Sequence, residues 1–312
     1  MTDTKRGVAD YVIVGLKGMA MGAADIVPGV SGGTIALITG VYEELLSSLK
    51  GLTPAAALTL FKEGPVSFWK QINGNFLLAL FAGILISLKT LATVVGWALE
   101  THPLLVWGGF SGLIAASLFT LARAQARWSV LQVILFILGA AFVVLIAEAK
   151  PTQLSGELWM LFVGGFIAIS AMILPGISGS FILLLLGLYA TFLNVIETLD
   201  IVGLCVIAAG CLSGLLLFSR FLSWLLAKWY TNTLAVMLGF LLGSLYVTWP
   251  WKHTVETFVD RHGEVQPLVQ ENVLPHIYAS IGLDAQLLGV ILWAGVGFLL
   301  VLSIEWLSKR TS

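Results

Sequence analysis

Charge is what this sequence most lacks. Of its 312 residues only 11% are Asp, Glu, Lys or Arg, against about a quarter in a typical soluble chain. The formal net charge of −1 leaves no basic surface of the kind nucleic acid requires. Cysteine is nearly absent. Cys205 and Cys211 share one apolar run, where they read as small apolar packing residues rather than a redox or metal pair. The four histidines (His102, His253, His262 and His276) form no metal-ligand cluster, and neither a P-loop nor a dinucleotide fingerprint appears. No cofactor and no metal are therefore expected. The opening MTDTKRGVAD lacks the cleavage pattern of a signal peptide.

Hydrocarbon fills the space that charge leaves. Hydrophobic residues make up 58% of the chain and the mean hydropathy is +0.98. Apolar runs of about 20 residues, enough to cross a bilayer core, recur from end to end. The pattern predicts an all-α polytopic membrane protein, a single transmembrane domain over 1–312 with no separate soluble domain.

The runs fall into two matching sets. PGVSGGTIALITGVY (Pro28–Tyr42) returns as PGISGSFILLLLGLY (Pro175–Tyr189), with Pro, Gly, Ser, the second Gly, a later Gly and Tyr at unchanged spacing. Gly83 precedes Lys89 as Gly214 precedes Arg220. GLIAASLF (Gly112–Phe119) matches GFLLGSLY (Gly239–Tyr246), and GAAF (Gly139–Phe142) matches GVGF (Gly295–Phe298) more weakly. The chain reads as repeat one, 1–150, and repeat two, 151–312. Each repeat has a broken segment (about 8–49 and 157–199) followed by three clean spans. The spans are placed at about 74–98, 104–121 and 129–147, then 202–227, 232–249 and 285–306.

The distribution of positive charge orients the segments. If each broken segment enters and leaves on one side, eleven basic residues share that side and three fall on the other. Lys89 and Arg220, inside spans, complete the sixteen. If the first segment crossed once, Arg123 and Arg127 would lie outside, against the positive-inside rule. The expected architecture is therefore six full spans plus two re-entrant hairpins, with N and C termini cytoplasmic. A hairpin adds no crossing and three spans add an odd number, so the second repeat is inverted. Inverted repeats with interrupted helices are a transporter signature, with substrate held near the midplane.

Irregular backbone at membrane depth survives only when buried in protein or lining a wet cavity. Pro28 and Pro175 stop the incoming arms, and Gly29, Gly32, Gly33, Gly176 and Gly179 allow a tight reversal. Ser31 and Ser178 are suitable N-caps for the outgoing arms, whose free amides and dipole favour an anion; Ser180 stands where the first copy has Gly33. A plain packing turn of small residues is the alternative. Lys89 and Arg220 are the cations expected to face that anion, since a charge within a span usually faces a cavity. Snorkelling to the interface is the other reading, and it suits Arg220 better than Lys89. Asp25, whose counterpart is Met172, can pair with Lys89, cap a turn or carry a coupling proton. Glu43 and Glu44 lack acidic counterparts too; Glu43 is the second coupling candidate, and Glu44 the better fit to a solvated hairpin foot.

Gly51–Gly74 looks interfacial, with Trp69 at headgroup depth. Residues 250–284 form the longest hydrophilic loop, a possible lid with nothing to specify a ligand. GVSGG (Gly29–Gly33) satisfies G-x-S-x-G, but every histidine falls in a predicted outside loop and the second copy ends in Ser180, so hydrolysis is set aside and no enzyme is expected. A carrier for an anion remains. A small soluble anion and an anionic lipid headgroup compete as substrates. Low charge throughout and only two buried cations favour the lipid, whose tail stays in the bilayer.

DIVPGVSGGTIALITGVYEELL (Asp25–Leu46) and MILPGISGSFILLLLGLY (Met172–Tyr189) resemble the two signature motifs of the bacterial PopT-type polyprenyl-phosphate transporters. The resemblance covers essentially the whole chain. It implies a flippase that returns undecaprenyl phosphate, the C55 carrier of envelope polymers such as peptidoglycan, to the inner leaflet of the cytoplasmic (inner) membrane. By motif it points to Asp25, Pro28, Gly29, Ser31, Gly32, Gly33, Glu43, Pro175, Gly176, Ser178 and Gly179. Lys89 and Arg220 come from the reading of the spans alone. The expected mechanism is alternating access, with phosphate held at the hairpin tips and a proton or sodium ion as coupling partner.

Overall fold

The computed structural model describes residues 6–26, 31–125, 127–149, 157–259 and 265–311. The first half of the chain forms α1 (Val8–Ile26), α2 (Gly32–Ile38), α3 (Tyr42–Gly51), α4 (Pro54–Lys62), α5 (Pro65–Gln71), α6 (Gly74–Thr101), α7 (Pro103–Ala124) and α8 (Val130–Ala147). The second half forms α9 (Leu158–Ile173), α10 (Gly179–Leu185), α11 (Tyr189–Glu197), α12 (Ile201–Val247), β1 (Lys252–Val259), β2 (Val265–Asn272), α13 (Pro275–Ser280) and α14 (Leu287–Thr311). Four of these helices are long and apolar enough to cross a membrane, five if the bent pair α10–α11 is one span. This is a multi-pass, mostly helical membrane protein. Its outer surface agrees: Leu138 and Leu145 on α8 and Leu288 and Leu299 on α14 are each more than half exposed, which only a lipid-facing helix tolerates in such numbers.

Local signals set the boundaries. Ser129 and Gln132 form a capping box at the start of α8. Pro54, Pro65, Pro103 and Pro275 stand in the first turn of their helices, where the missing N–H costs nothing. At 47 residues, α12 would be about 70 Å long if straight, more than twice a bilayer core. It breaks at Trp229 (φ −136°, ψ 52°), between the two spans read from sequence. Gly51–Gly74 holds α4 and α5, with Trp69 partly exposed and its indole donating to Asn75 Oδ1 at 2.8 Å. Residues 250–284, read from sequence as the longest hydrophilic loop of an all-α chain, depart from that fold class. They hold the antiparallel β1–β2 hairpin, which pairs Lys252 with Asn272 and His253 with Glu271.

The helices that follow the two matching motifs recur at one spacing. α2 and α10 begin at Gly32 and Gly179, and α3 and α11 at Tyr42 and Tyr189. Gly40 and Gly187, between them, both take positive φ (73° and 67°), which explains why both are glycine. Packing repeats as well. α1 lies along α6 and α9 along the first limb of α12, with Gly83 against the backbone of Gly15 and Gly214 against that of Phe166. α7 lies along α14 and α8 along the second limb of α12, with Gly112 against Ala294 and Gly239 against Phe136. The weakest sequence match does not share a packing role. Gly139 lies on Val236, whereas nothing among the described residues lies within 4 Å of a Cβ built at Gly295; Gly297 makes the close approach to Gly109 instead.

Candidate functional site

The outgoing arm of the first half starts inside the protein, 1% of Ser31 being exposed. Pro28 and Gly29 lie outside the described residues. Ser31 is the N-cap of α2 (φ −120°, ψ 135°), and its Oγ accepts from the amide of Gly33 at 3.1 Å. Its hydroxyl proton faces the carbonyls of Met172 (3.1 Å) and Leu174 (3.3 Å). Asp25, at the end of α1, reaches forward so that Oδ1 accepts from the amide of Gly32 at 2.7 Å. A Cβ at Gly32 would sit 2.6 Å from that carboxylate, so only glycine lets Asp25 approach. The amides at the head of α2 are thus satisfied by a serine and a buried acid.

The second turn is built differently. α9 ends at Ile173, Pro175 is fully buried, and Gly176 reverses the chain at φ +84°. A Cβ there would lie 2.8 Å from the carbonyl of Phe240 on α12, so the turn also packs against the second limb of that helix. Ser178 occupies the N-cap of α10 without a side-chain cap bond; its hydroxyl pairs with that of Ser180 at 2.8 Å. Gly179 lets α10 cross close to the carbonyl of Ala168. Where the first turn has Asp25, this one has Met172, and no acid neutralises the head of α10.

The two turns meet. Thr34 Oγ1 accepts from the amide of Gly176 at 2.8 Å, and Tyr42 donates its hydroxyl to the carbonyl of Ile173 at 2.8 Å. With the bonds of Ser31 to Met172 and Leu174, this makes three side chains of the first half grip the backbone of 172–176. A Cβ on Gly33 would lie 2.8 Å from the carbonyls of Met172 and Ile173, leaving no room for another residue. Beside the second turn a void of about 10 Å³, room for one water, is lined by Gly176, Ile177, Ser178, Phe181 and Val143. The head of α2 is packed directly against the second turn.

Neither Lys89 nor Arg220 contributes a hydrogen bond to that contact. Lys89 is exposed on α6 and has no hydrogen-bond or ion-pair partner among the described residues. Asp25 gives its carboxylate to Gly32 rather than to Lys89. Arg220 donates from Nη2 to the carbonyl of Leu52 at 2.9 Å, tying α12 to the end of α3. Glu44, expected to be a solvated foot, is half-buried: both of its oxygens accept from Arg6 (2.5 and 2.7 Å) and Oε1 also accepts from Asn73 at 2.8 Å. Glu43 is the exposed one of the pair and stands near Tyr230 at the α12 break.

Thr34 and Tyr42 are the residues that sequence reasoning missed. The Tyr42–Tyr189 match was a signal, because a tyrosine kept in both copies of an apolar motif asks for a hydroxyl partner. Thr34 gave none, since its counterpart is Phe181.

Residues 21–266 match the family model described as undecaprenyl phosphate translocase-like. A polyprenyl-phosphate transporter of Vibrio cholerae is 43% identical over 272 residues, covering 87% of this chain and 88% of the relative. A polyprenyl-phosphate transporter of Staphylococcus aureus is 32% identical over 253 residues, covering 75% and 85%. No solved structure matches the chain.

Proposed function

This chain belongs to the undecaprenyl phosphate translocase-like family, and from that premise we propose that it moves undecaprenyl phosphate between the leaflets of the bacterial cytoplasmic membrane by alternating access. Both relatives named above are polyprenyl-phosphate transporters, which supports the substrate class. The observation that carries the mechanism is the grip of Ser31, Thr34 and Tyr42 on the backbone of 172–176. A carrier needs one gate that both halves build, and this contact joins them at the broken helices.

The two halves form inverted repeats, with six crossings by α6, α7, α8, the two limbs of α12, and α14, and with re-entrant turns between. The end bearing Arg6 and Lys50 faces the cytoplasm; the β-hairpin faces out. The phosphate is held at the turns once they part: by Ser31 and the amides of Gly32 and Gly33 on one side, and by Ser178, Ser180 and the amide of Gly179 on the other, with Pro28, Gly29, Pro175 and Gly176 shaping the reversals. Charge-assisted bonds to phosphate oxygens are the strong contacts there. Lys89 and Arg220 lie beyond the turns toward opposite faces, so each meets the anion as it approaches from its own side. Asp25 is the first candidate for the coupling ion, a proton or sodium, because the group that leaves Gly32 free must first release it. Glu43, exposed beside Tyr230, is the second.

Proteoliposomes carrying the purified chain and labelled undecaprenyl phosphate test the reading. Accessibility of the label to an external phosphatase should change sides only when the protein is present, and soluble anions should neither be carried nor compete at equal concentration. Transport of a small anion with no movement of the lipid would overturn it.

A further inference from the structure

The end of the bundle that carries the β-hairpin holds a second feature that the turns do not use. The start of α7 and the β-hairpin enclose an open cleft of about 370 Å³, within the roughly 300–1,000 Å³ range of small-molecule sites. Leu104 and Trp107 form an apolar wall, and His253, Thr254 and Gln270 supply hydrogen-bonding groups. Lys252 belongs to the same lining. Its Nζ donates to the carbonyl of Val247 at 2.6 Å and lies 4.9 Å from the centre of the Trp107 indole.

That ammonium is half-buried, and no carboxylate pairs with it among the described residues. Its one bond to Val247 is what any lysine near a helix C-terminus achieves. That explains one of its three protons. Among the described residues the remaining donors have no hydrogen-bond partner, only the indole face beside the ammonium, in the lining of the cleft. A charge taken from water without a counter-ion is costly, and here burial lowers the lysine to about 8. An anion in the cleft would offset that cost. The division of the lining into an apolar wall and a polar one fits a ligand with a charged head and a hydrocarbon neck. Tyr278 and Leu283 continue the lining toward Leu274, Ile277 and Ile281, each more than two-fifths exposed, so a chain leaving the cleft passes onto an apolar surface.

We propose that this cleft binds a phosphate monoester group with Lys252 as its counter-ion, and that it is the loading site where the lipid phosphate is taken up before it reaches the paired turns. The loading role rests on the proposed function; the phosphate site does not. The cleft has room for the head and the first carbons of the chain, with the rest left in the bilayer.

The test uses the full chain in lipid nanodiscs and a water-soluble acylating reagent, with modification at each lysine read by peptide mass spectrometry. Farnesyl phosphate should slow acylation of Lys252 at least tenfold and leave exposed Lys62 unchanged, while farnesol should protect neither. Equal protection by inorganic phosphate at the same concentration would support the site and name free phosphate as its source; much weaker protection would support the lipid. If neither phosphate protects Lys252, or farnesol protects as well as farnesyl phosphate, the proposal falls.

In proteoliposomes, Lys252→Gln should raise the KM for polyprenyl phosphate at least tenfold with little change in kcat, and Lys252→Arg should restore it. An unchanged KM in Lys252→Gln overturns the loading role while transport itself stands. A wild-type chain that moves no lipid overturns the proposed function, and the acylation result still reads the phosphate site.

Discussion

The amide of Gly176 donates to the hydroxyl of Thr34 across 2.8 Å, so the turn of the second half is held by a side chain of the first. Both atoms are buried, and the chain reversal at Gly176 leaves that amide no helical partner. Thr34→Val keeps the shape and removes the acceptor. It should destabilise the protein by about 1–3 kcal/mol, the cost of an orphaned buried donor. Thr34→Ser should recover most of it. Thermal unfolding in detergent reads both, and a Val variant as stable as wild type would mean that the bond is dispensable.

Much of this architecture could be read before any coordinates. The break at Pro175 and the long apolar helices came from period, length and punctuation, because lipid leaves the backbone few options. The repeat supplied Gly40 with Gly187 and Gly83 with Gly214 as pairs doing the same job. What could not be read were contacts between elements far apart in sequence. Nothing local tells Thr34 that Gly176 will need an acceptor. Lys252 looked like an ordinary loop lysine because its indole partner, Trp107, stands on another helix. Glu43 and Glu44 were assigned in the wrong order for the same reason: Arg6 and Asn73, which draw Glu44 inward, lie beyond the reach of a local pattern. The β1–β2 pairing is hard to read because neither strand alternates strictly between apolar and polar residues and β2 carries Pro267.

The two cations set within spans should separate in their behaviour. Lys89 is exposed and makes no bond among the described residues, so Lys89→Gln should leave unfolding unchanged and reduce transport at least tenfold. Arg220 anchors the end of α3 through Leu52, so Arg220→Gln should lower both stability and transport. Arg220→Lys retains a charge and one donor, and should recover more transport than stability. Full transport in both Gln variants would remove these residues from the pathway.

Asp25 offers a test of coupling. Its Oδ1 accepts from Gly32, and an asparagine can accept in the same place. Asp25→Asn should therefore fold normally while losing any response of transport to an imposed proton or sodium gradient. Glu43→Gln, at an exposed position, should keep that response. Lipid flux measured with and without each gradient distinguishes the two acids, and a gradient response that survives in Asp25→Asn assigns coupling elsewhere.

Lys252 carries a pH signature that an ordinary surface lysine lacks. Exposed lysines ionise near about 10.4, whereas burial without a counter-ion brings this one to about 8. The neutral amine attacks the acylating reagent, so modification of Lys252 should rise through a midpoint at about pH 8. Between these two values the unfolded chain holds a proton that the folded chain has released. Stability should therefore increase with pH across that window and be lost again as pH falls through about 8; Lys252→Gln should flatten the slope. A bound phosphate favours the ammonium and must move the midpoint upward. Acylation profiles with and without farnesyl phosphate measure that shift, and a midpoint that does not move would mean that no anion sits against the lysine.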